Sequence, residues 1–361
     1  MAIRVEKTKL KPIDKELQEI LEARKTRIKV VGTGGAGNNT ITRLMEVGIV
    51  GAETIAVNTD AQDLLYSNAD YKVLIGKKLT RGLGAGGDPK IGEEAAKESK
   101  EDLEKALRGS DLVFITCGLG GGTGTGSSPI IAEIAKRMGA LTVGVVTLPF
   151  SMEGKIRMEN AKIGFEKLRK VVDTLIVIPN DKLLEIVPDV SLSTAFKICD
   201  EILVNAVKGI TEVITKPGLV NRDFADVKAV MEKGGMAMIG MGESDTENRA
   251  MEAIEKAINN PLLIADMDGA TGALINVVGG PSVTIRESNE IVEYIASRLS
   301  QDAKIIWGMQ VEKELGETLR VLLIVTGVAF PEIEELLAPP LIPKKKEKKE
   351  IEKILGIEFI E

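Results

Sequence analysis

Residues 112–129 read LVFITCGLGGGTGTGSSP, an almost unbroken apolar run followed by six glycines within the nine residues 118–126. A run this apolar suits a strand buried on both faces, as in a parallel sheet covered by helices. Glycine has no Cβ, so successive N–H groups can converge on an anion. A cluster this dense after a strand predicts a loop wrapped around a compact polyanion. The pattern predicts a helix opening near Pro129, its N-terminus aimed at the same anion. Gly121, Gly122, Gly124 and Gly126 supply amides, and Thr123 and Thr125 add hydroxyl donors.

The same order of strand, turn and helix repeats on both sides. Apolar runs at 28–31, 54–57, 141–147 and 174–178 read as further buried strands, each followed by a glycine-rich or polar turn. This alternation is the signature of an α/β fold with a Rossmann-like parallel sheet and ligand loops at the strands' carboxyl ends. Gly32, Gly34 and Gly37 form G-x-G-x-x-G after the first strand, and Asp60 stands where a dinucleotide fold holds a ribose. Alone, that loop reads as a nicotinamide site or as a tight turn with no ligand. Gly82, Gly84, Gly86 and Gly87 add another cluster, whereas a dinucleotide fold requires one such loop. The companions move the reading toward a phosphate chain held by backbone amides. No G-x-x-x-x-G-K-[ST] run occurs, which excludes a P-loop enzyme.

Residues 191–215 carry apolar side chains at helical spacing, and Lys216, Pro217 and Gly218 stop that helix. About 24 residues at ~1.5 Å each separate its ends by roughly 36 Å. The expected organisation is an amphipathic helical extension at 1–26, a nucleotide domain at 27–190, the central helix at 191–216 and a mixed α+β domain at 217–330. A proline- and lysine-rich linker at 331–350 and an apolar, charged docking peptide at 351–361 complete it. Within the α+β domain, strands are expected at 272–278, 304–311 and 318–325, and helices at 247–258 and 288–299.

A net charge of -7 opposes a nucleic-acid partner, since phosphate-backbone binding needs a basic face. Cys117 and Cys199 stand too far apart in sequence for a zinc spacing or a disulfide framework, which suits a reducing cytoplasm. No run of 18 apolar residues occurs, so membrane insertion is not expected. Histidine is absent, so any hydrolysis rests on carboxylates or metal-bound water. Scarce aromatics with abundant Lys and Glu suit a thermophile.

The run GGGTGTG at 120–126 resembles the signature loop of tubulin-like proteins. GGAGNN at 34–39, NTDAQ at 58–62, GLGAGG at 82–87, PF and EG within 149–154, and NRDFAD at 221–226 are similar, in the same order, to loops of the FtsZ family. On these motifs the chain is identified as a member of that family, from an archaeal or thermophilic source. The resemblance implies a GTPase domain and an activation domain joined by the central helix. It implies GTP or GDP as ligand, and Mg²⁺ carried mainly by the nucleotide rather than by a metal site of the protein. It also implies head-to-tail homopolymers in a division ring at mid-cell, tethered through the C-terminal peptide to membrane-associated adaptors.

By the same resemblance, the nucleotide is held by Gly34, Gly35, Ala36, Gly37, Asn38 and Asn39, by Asp60, by Ala85, Gly86 and Gly87, and by residues 121–126. Glu153 is assigned the ribose, Arg157 the neighbourhood of the phosphates, and Asn180 the base. As bare residues, Glu153 and Arg157 are equally a surface i,i+4 ion pair, and Asn180 an ordinary turn residue. Phe196 and Asp200 share a helix face, where a ring stacks on a purine and a carboxylate accepts from guanine N1–H and N2–H. The alternative is a core phenylalanine beside a solvated aspartate. Asn221, Asp223 and Asp226 read either as helix caps or as the hydrolytic group. If the base sits at the start of the long helix, carboxylates beyond its far end cannot reach their own phosphates. They can reach those of a neighbour stacked head to tail, as the family's mechanism requires. The competing functions are a nicotinamide-dependent oxidoreductase, a nonpolymerising nucleotide binder, and a paralogue that shapes cells or segregates DNA.

Overall fold

The computed structural model describes residues 26–182, 191–215, 223–259 and 266–330, together with Ile333 and Leu337. The N-terminal extension, the linker and the docking peptide lie outside these. Strands β1 (Ile28–Thr33), β2 (Ala52–Asn58), β3 (Tyr71–Leu74), β4 (Leu112–Gly118), β5 (Leu141–Leu148) and β6 (Thr174–Pro179) run parallel in the order β3-β2-β1-β4-β5-β6. β1, β5 and β6 are buried along their whole length, because helices cover both faces of the sheet. The strand order reverses between β1 and β4, which opens a crevice at their carboxyl ends.

The helices are α1 (Gly34–Val47), α2 (Ala61–Tyr66), α3 (Lys77–Thr80), α4 (Pro89–Glu98), α5 (Lys100–Leu107), α6 (Thr123–Arg137), α7 (Lys155–Val171), α8 (Leu192–Thr215), α9 (Phe224–Met231), α10 (Arg249–Ile258) and α11 (Ile285–Ala296). One face of the sheet is sealed by Ile41 and Leu44 of α1, Leu203 and Ile210 of α8, and Met231 of α9. On the other lie Ala95 of α4, Ile131 of α6, Phe165 of α7 and Ile254 of α10. α8 travels from the carboxyl edge of the parallel strands back to their amino edge, where the Thr215 hydroxyl donates to the Val50 carbonyl at 3.2 Å. α9 is tied to that same amino edge: the Thr174 hydroxyl donates to the Met231 carbonyl at 2.6 Å.

Strands β7 (Gly235–Ser244), β8 (Gly272–Gly279), β9 (Lys304–Val311) and β10 (Leu319–Thr326) extend the sheet to ten strands, because β7 pairs with β6 from Thr174↔Gly235 to Ile176↔Ala237. β10 lies antiparallel between β7 and β8, and β9 is parallel to β8. Sequence periodicity marks only three of these strands. The sequence of β7, GMAMIGMGES, has one β-branched residue and so carries no strand signature. β3 escapes notice as a four-residue edge strand.

Two helix starts also differ from expectation by three residues or more, beyond the small shift of α10 from 247 to Arg249. α11 opens at Ile285, earlier than 288, because Thr284 and Glu287 form a capping box: the Thr284 hydroxyl accepts from Glu287 N at 3.2 Å and Glu287 Oε2 accepts from Thr284 N at 2.7 Å. α6 opens at Thr123, with Pro129 inside it, so Gly124 and Gly126 lie in its first helical turn while Gly120, Gly121 and Gly122 form the turn before it. Backbone crowding explains this. A Cβ on Gly126 would stand 2.0 Å from the Pro89 carbonyl oxygen, so glycine here allows α6 to cross α4.

Ile210 is fully buried where α8 meets the sheet. Ile210→Ala should lower unfolding free energy by about 2–5 kcal/mol in a denaturant titration. Val50→Ala, at a side chain 70% exposed, should change it by less than ~0.5 kcal/mol.

Candidate active site

The crevice is built from backbone at one end and side chains at the other. At the backbone end, α1 and α6 open side by side. Gly34 has φ +72°, and a Cβ there would lie 2.8 Å from the Gly124 amide nitrogen. Gly124 in turn passes the Thr33 carbonyl, which a Cβ would meet at 2.9 Å. The hydroxyls of Thr33 and Ser127 bond at 2.6 Å and lock the turns together. First-turn amides of both helices thus border one cavity, lined by Gly34, Gly35, Ala36, Gly121, Gly122, Thr123 and Gly124. The N-terminal ends of both helix dipoles favour an anion there.

Several residues of these loops hold the cradle rather than line it. The Thr125 hydroxyl is buried and accepts from Gly120 N at 2.9 Å, fixing the turn before α6. Thr123 lines the cavity and shares a 2.6 Å hydroxyl bond with Thr59. Gly37 is the crossing point of α1 over β4, where a Cβ would stand 2.6 Å from the Thr116 carbonyl oxygen. Asn38 is buried. With its amide oriented to suit its neighbours, it donates to the Gly32 and Val57 carbonyls at 3.0 and 3.2 Å and accepts from Asn58 Nδ2 at 2.9 Å. Asn39 is exposed on α1 outside the lining. Asp60 caps α2, accepting from Gln62 N and Asp63 N at 2.9 and 3.1 Å. Ala85 packs on Gly122 beneath the cradle, while Gly86 and Gly87 take positive φ beside it, with the Gly87 carbonyl accepting from Asn160 Nδ2 at 3.1 Å.

At the other end, β5, β6 and α8 deliver side chains. Phe196 is 40% exposed and meets Phe150 edge-on at 5.3 Å, leaving a ring face available for stacking. Asp200, four residues on, is half-buried, and its Oδ1 accepts a long 3.4 Å bond from the Thr40 hydroxyl. Burial pushes its carboxyl up to about 7; the Thr40 bond and the charge of Arg43 pull it down, and Glu201 pushes it further up. Glu153 Oε1 accepts from Phe150 N at 2.9 Å and its Oε2 pairs with Arg157 at 2.5 Å, so Arg157 is an ion-pair partner at the cavity wall. Asn180 is buried at the end of β6, and its Oδ1 accepts from Cys199 Sγ at 3.1 Å. Pro149 of the PF motif also lines this wall, and Thr147, Cys199 and Leu203 join it without a motif to mark them. The signal available for Cys199 is its position between Phe196 and Asp200 on one helix face.

Asp223 and Asp226 lie elsewhere. They form a reciprocal capping box at the start of α9: Asp226 N donates to Asp223 Oδ1 at 2.9 Å and Asp223 N to Asp226 Oδ2 at 3.3 Å. Both are exposed. Asn221 lies outside the described residues. No helix among the described residues is long and apolar enough to cross a membrane.

The family model described as the GTPase domain of the Tubulin/FtsZ family matches residues 27–188, and that of the FtsZ family C-terminal domain matches residues 235–329. Cell division protein FtsZ 1 of Methanocaldococcus jannaschii is 64% identical over 319 residues, 88% of each chain. A solved structure described as an empty FtsZ dimer from M. jannaschii superposes with a TM-score of 0.83, covering 88% of this chain and 93% of that one at 64% identity. GDP-bound monomeric CetZ1 from Haloferax volcanii superposes with a TM-score of 0.76 at 26% identity, covering 86% and 98%.

The raised Asp200 carboxyl has a definite consequence for the empty protein. The folded state holds this proton at a pH where the unfolded chain has lost it. Its contribution is therefore complete below the ordinary carboxylate range and disappears as pH rises toward about 7. Asp200→Asn should melt above wild type at pH 8 without nucleotide, and the gap should narrow toward pH 5. A gap independent of pH would show that Asp200 carries no such shift.

Proposed function

The chain belongs to the tubulin/FtsZ family, and from that premise we propose that it binds and hydrolyses GTP and stacks head to tail into filaments that act in cell division. The single observation that carries the proposal is the placement of two groups at opposite edges of one sheet. The cavity opens at the carboxyl ends of β1, β4, β5 and β6, whereas α9, with Asp223 and Asp226, is tied to the amino end of β6. One molecule cannot bring its own carboxylates to its own cavity. A second molecule stacked on the cavity edge can. Leu83, Met152 and Ile156 on that edge are 82%, 68% and 75% exposed, which suits a surface that a neighbour covers.

In this reading the first-turn amides of α1 and α6 bind the phosphate chain, Glu153 faces the ribose, and Phe196, Asp200 and Asn180 hold the guanine. The carboxylates of the next subunit orient a water for in-line attack on the γ-phosphorus, and the amide cradle stabilises charge on the departing diphosphate. The donors around the phosphates are amides and hydroxyls, and no acidic, cysteine or histidine cluster for a cation exists among the described residues. This fits a Mg²⁺ held through phosphate oxygens, where it would neutralise charge on the transferred group. Matching of the FtsZ C-terminal model, and 64% identity to an FtsZ against 26% to a CetZ, favour division over the other roles of tubulin-like paralogues. Division also places the protein in the cytoplasm at mid-cell.

The capping role of the aspartates makes the choice of variant matter. Asn keeps an N-cap about as well as Asp but removes the carboxylate. Asp223→Asn and Asp226→Asn should hold thermal stability near wild type and keep GTP binding, yet reduce turnover at least about tenfold. Wild-type turnover per molecule should rise with protein concentration. Unchanged turnover in both variants would leave the pair as caps alone.

The C-terminal peptide 351–361 completes the proposal as the ligand of a membrane-associated adaptor, reached through the solvated linker. Deleting it should preserve GTP hydrolysis and polymerisation in vitro and abolish mid-cell recruitment of a tagged copy. Loss of polymerisation together with a markedly lower melting temperature would assign the peptide to the core instead.

A further inference from the structure

Asn180 is held from several sides. Its backbone N–H donates to the Leu148 carbonyl at 3.2 Å, which continues the β5–β6 pairing by one residue. The next residue, Asp181, accepts from Ser151 N at 2.9 and 3.1 Å and anchors the turn after β5. What remains to be set is the orientation of the side-chain amide, whose two ends are similar in shape and opposite in hydrogen-bonding sense. In the described structure one group sets it, Cys199 Sγ, 3.1 Å from Asn180 Oδ1. Cys199 is 4% exposed, and burial, followed by the nearby Asp200 and Glu153 charges, raises its thiol well above the usual range. A thiol that stays protonated is a donor, so the amide presents its oxygen to sulfur. Its nitrogen has no acceptor among the described residues, and both residues line the cavity.

We propose that Cys199 is a positioning residue for nucleotide recognition: its S–H fixes the Asn180 amide so that Nδ2 donates to an acceptor atom of the bound nucleoside. The inference rests on the reading of the cavity as a guanine nucleotide site. Without the thiol the amide is free to turn over, and half of its orientations then aim an oxygen at an acceptor. The same helix face carries Phe196, which stacks, and Asp200, which accepts. Cys199 thus adds, through Asn180, an oriented donor beside the carboxylate of Asp200.

The test is GDP affinity measured by calorimetry on the full chain for wild type, Cys199→Ala, Cys199→Ser, Asn180→Ala and the Cys199→Ala/Asn180→Ala double variant. Cys199→Ala should weaken GDP roughly 3- to 10-fold, the worth of one ordinary hydrogen bond. Serine retains a donor and should recover most of that loss. In the Asn180→Ala background the Cys199→Ala change should cost nothing further, the mark of a residue acting through its partner. Additive losses, or equal losses in the alanine and serine variants, would overturn the positioning role and leave the site intact. Undiminished affinity in Asn180→Ala would overturn the assignment of this wall to the nucleoside itself.

Discussion

Backbone touching backbone is the constraint on which this molecule depends. Where β1 and β4 meet α1 and α6, a Cβ would fall 2.6 Å from a carbonyl oxygen at Gly37 and 2.8 Å from an amide nitrogen at Gly34. Real Cβ atoms do not approach so closely, so the arrangement exists only because these positions carry no side chain. The two helix starts can then converge at one crevice. Polar satisfaction follows from the same closeness: Thr33 with Ser127 and Thr59 with Thr123 join turns far apart in the chain, and Thr125 with Gly120 closes the turn before α6. At Gly34, Gly122 and Gly124 the cradle is also a close crossing of the fold, which holds those parts of it in place.

The end of the cavity proposed for the nucleoside follows a different logic. Its groups are side chains carried by β6, the turn after β5, and α8, and they are held by partners that leave each with unused capacity. Phe150 takes one edge of the Phe196 contact, Thr40 gives Asp200 a single long bond, and Cys199 takes one end of the Asn180 amide. Phosphate recognition needs only converging amides, which backbone supplies where glycines let two helix starts approach. Base recognition needs a donor and acceptor pattern, which backbone cannot supply. The division of labour between the ends of the cavity is therefore chemical.

Glycine density and continuous apolar runs carry long-range information, enough to read the parallel half of the sheet and to gather the glycine-rich turns at its carboxyl edge. Other features lie beyond such signals. β7 is a strand because β6 and β10 flank it, and its Met- and Gly-rich sequence expresses no preference of its own. α6 starts at Thr123, well before Pro129, although glycine and proline usually break helices, because here the glycines allow a helix to cross α4. Asn38 and Asp60 belong to motifs similar to those of nucleotide loops, yet their side chains are used within the fold, one tying β1 to β2 and the other capping α2. Motif membership marks the neighbourhood of a site. It does not say which side chains face the ligand. Cys199 shows the converse, since no motif includes it and only its distance from Asn180 reveals a task.

Two unlike surfaces that complete one active site must meet in a fixed order, one cavity edge against one amino edge. A contact of that kind is heterologous, and unless its rotation closes it repeats without end. In the proposed assembly the geometry that separates the cavity from Asp223 and Asp226 therefore produces the polymer and also makes hydrolysis depend on it. The capping box is consistent with this duty. Each carboxylate commits one oxygen to the start of α9, which orders both groups on a short helix seated against the core by Val227 and Met231. An ordered carboxylate with an oxygen to spare orients a water at less entropic cost than a free surface side chain. A helix cap and a hydrolytic pair make the same structural demand, so in the proposed assembly the two readings of these aspartates are compatible.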